Sequence, residues 1–142
     1  MGELPAAFVV DASVSAAWLV PDEATPVTEA VLRATATHDL WVPALWLLEV
    51  GNLLLRAQRR RRITGAKRLE LVAAASALRI RVDRESVSLI AIDALAARHQ
   101  LSAYDAAYLE LALRRDLPLA TLDDALLAAM ATAGVAPALS VA

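Results

Sequence analysis

The chain is organised around Leu101-Ser-Ala-Tyr-Asp105-Ala-Ala-Tyr-Leu-Glu-Leu-Ala112, a stretch that predicts the start of a helix. Ser102 and Asp105 have the spacing of a capping box, in which the serine hydroxyl accepts a hydrogen bond from a free backbone N–H. Asp105 shares its helical face with Leu109 and Ala112, which are apolar. The simplest role of the acid is to balance the positive end of the helix, an effect of ~0.3–1 kcal/mol. Three further acids in the chain indicate a second role.

Short apolar runs alternate with helical patterns on both sides of this stretch. The runs predicted as strands are residues 8–10, 40–42, 80–82 and 117–121, with a last strand over 135–141. The patterns between them predict helices over 13–20 (capped by Ser13 or Ser15), 27–36, 43–62, 66–78, 86–98, 102–115 and 123–132. This alternation predicts an α/β fold, in which helices cover both faces of a mostly parallel sheet of about five short strands.

Length and composition define a single domain over residues 1–142 with a substantial core. Of the 142 residues 58% are hydrophobic and 21% charged, and the formal net charge is −2, which argues against a uniformly basic nucleic-acid binder. Without cysteine the chain has no disulfide and no thiolate metal site. The N-terminal segment contains Glu3 and Asp11 and no basic cluster before an apolar run. We therefore expect a cytoplasmic protein without a signal peptide or a membrane span.

Two acids follow predicted strands directly. Asp11 ends the first strand, and Asp123 follows the strand over 117–121. Ligands of open α/β sheets bind beyond the carboxyl ends of the strands, at the point where the strand order reverses. We therefore expect these two carboxylates to converge there. The alternative for each is a structural cap on the helix that follows its strand.

A third acid, Glu49, lies in the middle of the predicted helix Leu45-Trp-Leu-Leu-Glu49-Val-Gly-Asn52-Leu-Leu-Leu55. A carboxylate among bulky apolar side chains is costly unless it has a partner. Asn52, three residues further on, shares its face and is placed to hold it by a hydrogen bond. The alternative is a solvent-facing stripe that Arg56 continues.

If Asp11, Glu49, Asp105 and Asp123 meet, they need a cation. At ~4 Å and an effective dielectric constant of ~20, each pair of like charges repels by ~4 kcal/mol. Carboxylates without histidine or cysteine favour hard cations held through oxygen, which indicates Mg²⁺, with Mn²⁺ as a plausible substitute. Such a site supports metal-assisted hydrolysis of phosphodiester bonds.

The chain resembles the PIN-domain proteins, and specifically the VapC-like ribonuclease toxins of bacterial type II toxin–antitoxin pairs. The resemblance rests on four pieces in the family's order and usual spacing, across nearly the whole chain. They are Phe8-Val-Val-Asp11-Ala-Ser13, Val42-Pro43 with Glu49-Val-Gly-Asn52-Leu, Leu101 to Ala112 as quoted above, and Leu119-Ala-Thr121-Leu-Asp123. Each piece is weak by itself, whereas all four in order on an α/β pattern are specific.

The resemblance implies a three-layer α/β/α sandwich and Mg²⁺-dependent endonuclease activity on RNA. It implies that Asp11, Glu49 and Asp105 are the first three family acids, with Asp11 and Asp105 as the most direct metal ligands. The fourth acid is ambiguous because Asp124 follows Asp123, although the T-x-D pattern favours Asp123. The resemblance also implies that Ser13 and Thr121 support the metal site. It further implies that the protein forms homodimers, and that a cognate antitoxin lays its C-terminal segment in the active-site groove.

A basic stretch follows Glu49 on the same predicted helix and beyond it. It holds seven of the fourteen Lys and Arg residues and no acid: Arg56, Arg59, Arg60, Arg61, Arg62, Lys67 and Arg68. One interpretation is a solvated helix end, where cations are favourable. The functional interpretation is that Arg56 and Arg59 to Arg62 bind RNA phosphates beside the acids.

Two other classes of function compete with the nuclease. A noncatalytic PIN-like binding module would use the acids as caps and the arginines to hold nucleic acid or protein. A phosphotransfer protein needs D-x-D or paired early aspartates, whereas this chain has Asp11-Ala-Ser13. Metal-dependent cleavage separates the nuclease from the binding module.

Overall fold

Four short parallel strands form the central sheet of the protein. The computed structural model describes residues 3–139, and the strands within them are β1 (Ala7–Val10), β2 (Asp39–Pro43), β3 (Ile80–Asp83) and β4 (Leu119–Ala120). They lie in the order β3-β2-β1-β4. The inner strand β1 is apolar and fully buried over Phe8, Val9 and Val10. An all-apolar strand of this kind is typical of a parallel sheet covered on both faces.

Seven α-helices and one 3₁₀ turn (Pro21–Glu23) connect the strands within the described residues. The helices are α1 (Ala12–Leu19), α2 (Pro26–Ala34), α3 (Leu45–Arg59), α4 (Gly65–Ala77), α5 (Leu89–His99), α6 (Ala103–Arg115) and α7 (Asp124–Ala133). None of these helices combines the length and the apolar character needed to cross a bilayer.

The strand order explains the layers of the fold. From β1 to β2 to β3 the chain moves in one direction, and from β3 to β4 it returns past β1. Crossovers between parallel strands are right-handed, so the two directions place their helices on opposite faces of the sheet. Consistently, α1 packs on α2 and α3, whereas α6 packs on α5 and α7. The predicted α/β/α sandwich is therefore confirmed, and its strand order reverses between β1 and β4.

The number of strands differs from the prediction of about five. Residues 135–141 were predicted as a last strand, but only an isolated bridge joins Pro137 to Leu119. The bridge has two hydrogen bonds, from the Leu119 N–H to Ala136 O and from the Ala138 N–H to Leu119 O, both at 3.0 Å. Strand β4 itself has only two residues, which limits the ladder that it can offer. Residues 140–142 lie outside the described part of the chain.

Several helix ends also differ from their predicted positions. Asp11, and neither Ser13 nor Ser15, caps α1. Helix α3 begins only at Leu45, because residues up to Pro43 still pair in β2, and it ends at Arg59 instead of residue 62. The chain leaves α3 through a left-handed residue, Arg61, with φ of 59°. The sequence carries no glycine at this point to announce the turn.

Helix α6 contributes both to the core and to the position of Asp105. Five of its residues are buried, and the helix packs against β1, β2 and β4. Ser102 accepts a hydrogen bond from the Asp105 backbone N–H at 3.1 Å, as the capping pattern predicted. The same helix therefore fixes Asp105 at its first turn and fills the core with Tyr108 and Leu111, both fully buried.

The far end of α6 is held by a buried ion-pair cluster that the sequence pattern did not reveal. Asp83, at the end of β3, is 5% exposed. Its two oxygens accept from Arg114 at 2.7 and 3.1 Å and from Arg115 at 2.8 and 3.1 Å. Arg115 also lies over the Trp41 ring, 3.7 Å from its centroid. Hydrogen bonds from Arg114 hold the pKa of Asp83 below its usual range, despite the opposing effect of burial.

We expect Asp83→Asn to destabilise the protein by about 2–4 kcal/mol at pH 7, because it leaves two arginines without their shared partner. The matched control is Asp93→Asn, which removes an exposed acid on α5. Urea unfolding monitored by circular dichroism measures both variants. A lowered pKa stabilises the fold fully above the unfolded value of ~3.9 and loses that effect as the pH falls through the folded value. The difference between wild type and Asp83→Asn should therefore narrow below pH ~4. Equal stability of the two variants at pH 7 would contradict the assignment.

Candidate active site

Asp11 lies at the carboxyl end of β1, with only 4% of its surface exposed, and both of its carboxylate oxygens accept hydrogen bonds. Its Oδ1 accepts from the Ala12 backbone N–H at 2.8 Å, which caps α1. Its Oδ2 accepts from the Ser13 hydroxyl at 2.8 Å and from the Thr121 hydroxyl at 2.7 Å. Asp11 is thus both a helix cap and the centre of a polar cluster, so the two interpretations of this acid are not exclusive.

The same cluster ties the loop after β1 to the loop after β4. The Leu122 backbone N–H donates to Ser13 Oγ at 3.1 Å, and the Asp123 backbone N–H donates to Thr121 Oγ1 at 3.0 Å. The structure therefore places Ser13 and Thr121 beside Asp11, where the sequence predicted them. This is the edge of the sheet at which the strand order reverses.

Asp123 is free of the capping role that was its alternative. It occupies the N-cap position of α7, yet its side chain makes no capping hydrogen bond, and it is only partly exposed. Its negative charge raises the pKa of Asp105, an effect that Asp124 does not share. Asp124 is exposed on the first turn of α7. Of the two adjacent acids, Asp123 therefore faces the other carboxylates.

Asp105 is partly buried at the third position of α6. Burial raises the pKa of its carboxyl, and the charges of Asp11 and Asp123 raise it further, while a hydrogen bond to Ser102 acts in the opposite direction. The three acids from β1, α6 and the end of β4 are thus close enough to repel one another.

Glu49 lies on α3, and a residue of α6 holds its carboxylate. Tyr108, which is fully buried, donates its hydroxyl hydrogen bond to Glu49 Oε1 at 2.6 Å. Asn52 was predicted as this partner, and that prediction is wrong. It is exposed, lines an open cavity and makes no hydrogen bond to Glu49. The available signal was the phenol itself, since a buried tyrosine hydroxyl requires a partner.

The electrostatics of Glu49 link it to the same group. Burial raises the pKa of its carboxyl most, and the charges of Asp11 and Asp105 raise it further, against the hydrogen bond from Tyr108. The pKa of Tyr108 is raised strongly by burial, so its hydroxyl remains a donor. A raised pKa means that the folded protein binds protons more tightly than the unfolded chain, so Glu49 and Asp105 both destabilise the fold at neutral pH.

The donor set fits a hard cation in its chemistry. All four acids offer only oxygen, and over residues 3–139 no Lys or Arg forms an ion pair with any of them. Their mutual repulsion is therefore uncompensated by the protein. Within the same range, however, no three acidic or histidine side chains are arranged closely enough to hold one ion together. The charges of the acids raise the pKa values of Glu49 and Asp105, but the acids are not already arranged around one metal position.

The basic residues are distributed along α3 away from the acids. Arg56 lines the cavity beside Glu49, whereas Arg59, Arg60, Arg61 and Arg62 are exposed beyond it at the end of α3. At a rise of ~1.5 Å per residue, these four begin ~15 Å from Glu49 along the helix axis. In the described part of the chain none of the five forms an ion pair. They are free for an anionic partner, and Arg59 to Arg62 lie well away from the acids.

Acids at the reversal point of a parallel sheet define an α/β domain whose candidate site lies where such sheets bind ligands. The chain belongs to the PIN domain family, since the family model matches residues 8–132. PIN domains are generally nucleases. A structure similar to this one is the crystal structure of PAE2754 from Pyrobaculum aerophilum, with 26% sequence identity and a TM-score of 0.63. The match covers 86% of this chain and 78% of that one. Among curated proteins no sequence matches.

The electrostatic coupling predicts which of the adjacent acids belongs to the site. We expect Asp123→Asn to lower the pKa of Asp105, because it removes a negative charge that raises it. The matched variant Asp124→Asn should leave that pKa unchanged. Carboxyl ¹³C NMR titration in the presence of EDTA measures both. If Asp124→Asn has the larger effect, the fourth acid is Asp124.

Proposed function

We propose that the protein is a Mg²⁺-dependent endoribonuclease that hydrolyses RNA phosphodiester bonds, with Mn²⁺ as a substitute metal. The observation that carries this proposal is the electrostatic coupling of Asp11, Glu49, Asp105 and Asp123 at one edge of the sheet without a basic partner. Four carboxylates in this situation are stabilised by a bound cation. PIN-family membership supports nuclease chemistry, and the specificity for RNA rests on the resemblance to VapC-like toxins.

The residues of the site divide into ligands and supports. Asp11 and Asp105 would hold the metal, and Glu49 and Asp123 would complete the acidic site. A bound Mg²⁺ supplies an activated water and neutralises the charge that develops on the phosphate. Ser13 and Thr121 fix the Asp11 carboxylate through Oδ2, which leaves Oδ1 with one protein donor and a lone pair for another contact.

Glu49 is positioned by a different route. The Tyr108 hydroxyl holds Oε1, and among residues 3–139 no other donor reaches the carboxylate. Oε2 is therefore available to a water or to a metal-bound group. Tyr108 and Asp105 both lie on α6, whereas Glu49 lies on α3. Because Tyr108 is anchored in the core, its hydrogen bond fixes Glu49 relative to Asp105.

The biological setting is the second part of the proposal. We propose that the protein acts in the cytoplasm as the toxin of a toxin–antitoxin pair, forms a homodimer and is neutralised by a cognate antitoxin. The resemblance supports this setting. So does α5, whose apolar residues Leu89 and Ile90 are 81% and 82% exposed and are available to a protein partner.

A noncatalytic PIN-like binding module is the alternative function. The observation that favours it is the lack, within residues 3–139, of three ligands already arranged around one ion. Under this alternative the arginines bind nucleic acid, the acids hold no metal, and Asp11 serves only as the cap of α1.

The cleavage test separates the two functions. We expect the purified protein to cleave total RNA with Mg²⁺ and not with EDTA. Asp105→Asn should reduce the rate at least ~100-fold, since even the loss of a group that only orients a metal ligand costs 10–100-fold. Asp11→Asn should be equally inactive, whereas the control Asp124→Asn should retain near wild-type activity. Asp105→Asn should be at least as stable as wild type without metal, because it removes a repelling charge. Metal-independent cleavage, or none by a folded wild type, would overturn the proposal.

The basic residues generate a separate prediction about binding. Changing Arg59, Arg60, Arg61 and Arg62 to Gln should weaken RNA binding across many sequences and reduce the slope of log K against log salt by ~0.7 for each lost contact. The single-turnover rate at saturating RNA should stay close to wild type, because the acids are untouched.

Fluorescence anisotropy in an Asp11→Asn background measures this affinity at several salt concentrations without consuming the RNA. The charge control changes Arg33 and Arg98 to Gln, which removes exposed cations on α2 and α5. An unchanged affinity and slope in the four-residue variant would identify the arginines as an ordinary solvated helix end.

A further inference from the structure

We propose that the cavity beside the acids is a nucleoside-binding site, which holds one unstacked base of the RNA next to the phosphodiester that is cut. This inference rests on the proposed function and adds to it the residues that select the cleavage position. The cavity has a volume of about 590 Å³, and the residues that define it are Leu45, Leu48, Glu49, Asn52, Arg56 and Tyr104.

The cavity opens directly onto the acidic site. Ser13, whose hydroxyl donates to Asp11 at 2.8 Å, lines it together with Glu49. Tyr104 comes from the residue before Asp105 on α6. A ligand in this space therefore lies against Glu49 and against the neighbours of Asp11 and Asp105. Any group bound in the cavity is positioned relative to the reacting phosphate.

Two large apolar side chains at the cavity are exposed instead of packed. Tyr104 is 64% exposed and Leu48 is 71% exposed, and they come from different helices. Exposed aromatic and aliphatic side chains grouped at a concave surface mark a binding site. A tyrosine ring offers a face on which any nucleobase can stack, and an aliphatic side chain can cover the other face. Neither residue contributes to the buried core, so folding alone does not explain them.

The polar residues of the cavity form a line along α3. Glu49, Asn52 and Arg56 are spaced at i, i+3 and i+7, which places them on one face of the helix. The Asn52 amide has both donors and an acceptor, as reading the edge of a base requires. Arg56 lies ~10 Å along the axis from Glu49 and is free of ion pairs among the described residues. It is suited to the phosphate of a neighbouring nucleotide.

A second cavity shows what an apolar site looks like in this protein. It has a volume of about 190 Å³, lies between α3 and α4, and is lined by residues such as Trp46, Leu54, Val72 and Ile80, with no charged residue among those that line it. That chemistry suits apolar side chains. The cavity at Tyr104 instead combines a ring, an amide and a guanidinium, and it leads toward the exposed arginines at the end of α3. Nucleotide binding therefore explains it better than a protein side chain does.

Nucleotide binding without catalysis tests the proposal. The ¹⁵N-labelled full-length protein with EDTA is titrated with AMP, GMP, CMP, UMP and ribose 5-phosphate and followed by ¹H–¹⁵N NMR. We expect at least one nucleotide to shift the amides of Leu48, Asn52 and Tyr104, and to bind about tenfold or more tightly than ribose 5-phosphate, because stacking supplies the difference. The ribose 5-phosphate comparison requires no variant, so it does not depend on folding.

Variants then identify the stacking residue. Tyr104→Ala should reduce nucleotide affinity to about that of ribose 5-phosphate, whereas Tyr104→Phe, which keeps the ring, should bind like wild type. The control Ile90→Ala removes an exposed apolar side chain far from the cavity and should change nothing. Equal binding of nucleotides and ribose 5-phosphate, shifts confined to other surfaces, or equal affinities of Tyr104→Ala and Tyr104→Phe would overturn the proposal. So would the absence of any shift, which would assign the cavity to an apolar side chain of a protein partner.

The failure of this inference can be distinguished from failure of the proposed function. Nucleotide binding at the cavity without any Mg²⁺-dependent cleavage would reject the nuclease while leaving the nucleoside site in place. Cleavage by a protein whose cavity binds none of the four nucleotides would reject the nucleoside site alone.

Discussion

The Asp11 carboxylate is the point on which the rest of the structure depends. It caps α1 through Ala12 and accepts the hydroxyls of Ser13 and Thr121, so one side chain fixes the loops after β1 and after β4. Hydrogen bonds to a charged acceptor contribute ~1.5–3 kcal/mol each, which exceeds neutral bonds of the same kind. Strand β4 has only two residues, and this side-chain cluster compensates for its short ladder with β1. Asp105 and Asp123 are oriented with respect to that fixed centre.

Helix α6 makes the other contacts that fix the acidic site and the core. Its first turn carries Asp105, its middle donates the Tyr108 hydroxyl to Glu49 at 2.6 Å, and its last turn binds Asp83 through two arginines. Each end of the helix is thus held by polar contacts, while its buried face fills the core. The carboxylates on α3 and α6 keep their relative positions because a rigid helix, and not a loop, separates these anchors.

Much of this could be predicted from local patterns. The apolar runs identified all four strands. Strands β1 and β4 are buried along almost their whole length, whereas buried residues alternate along β2 and Arg81 of β3 is exposed. Asp11 and Asp123 were informative because each follows such a run directly, and Glu49 because a carboxylate is costly among leucines. The resemblance supplied what no pattern could, namely the proposal that these acids act together as a nuclease site.

The errors came from contacts between distant segments. Nothing local distinguishes Tyr108 from Asn52 as the partner of Glu49, since the choice depends on how α3 and α6 pack across the sheet. Asp83 was overlooked for the same reason, because its partners Arg114 and Arg115 lie 31 and 32 residues further along the chain. The predicted last strand is reduced to one bridge because its partner β4 has only two residues, a length that the apolar run over 117–121 did not reveal.

The contact between Asp11 and Thr121 has a consequence for synthesis. The two residues are separated by 110 positions, so the acidic site joins two segments that are translated far apart in time. Closing so large a loop is among the later events of folding. A nascent polypeptide that has emerged only as far as α5 holds Asp11 and Glu49 but lacks Asp105, Tyr108, Thr121 and Asp123. During synthesis the acidic site therefore stays incomplete until Thr121 and Asp123 have left the ribosomal exit tunnel.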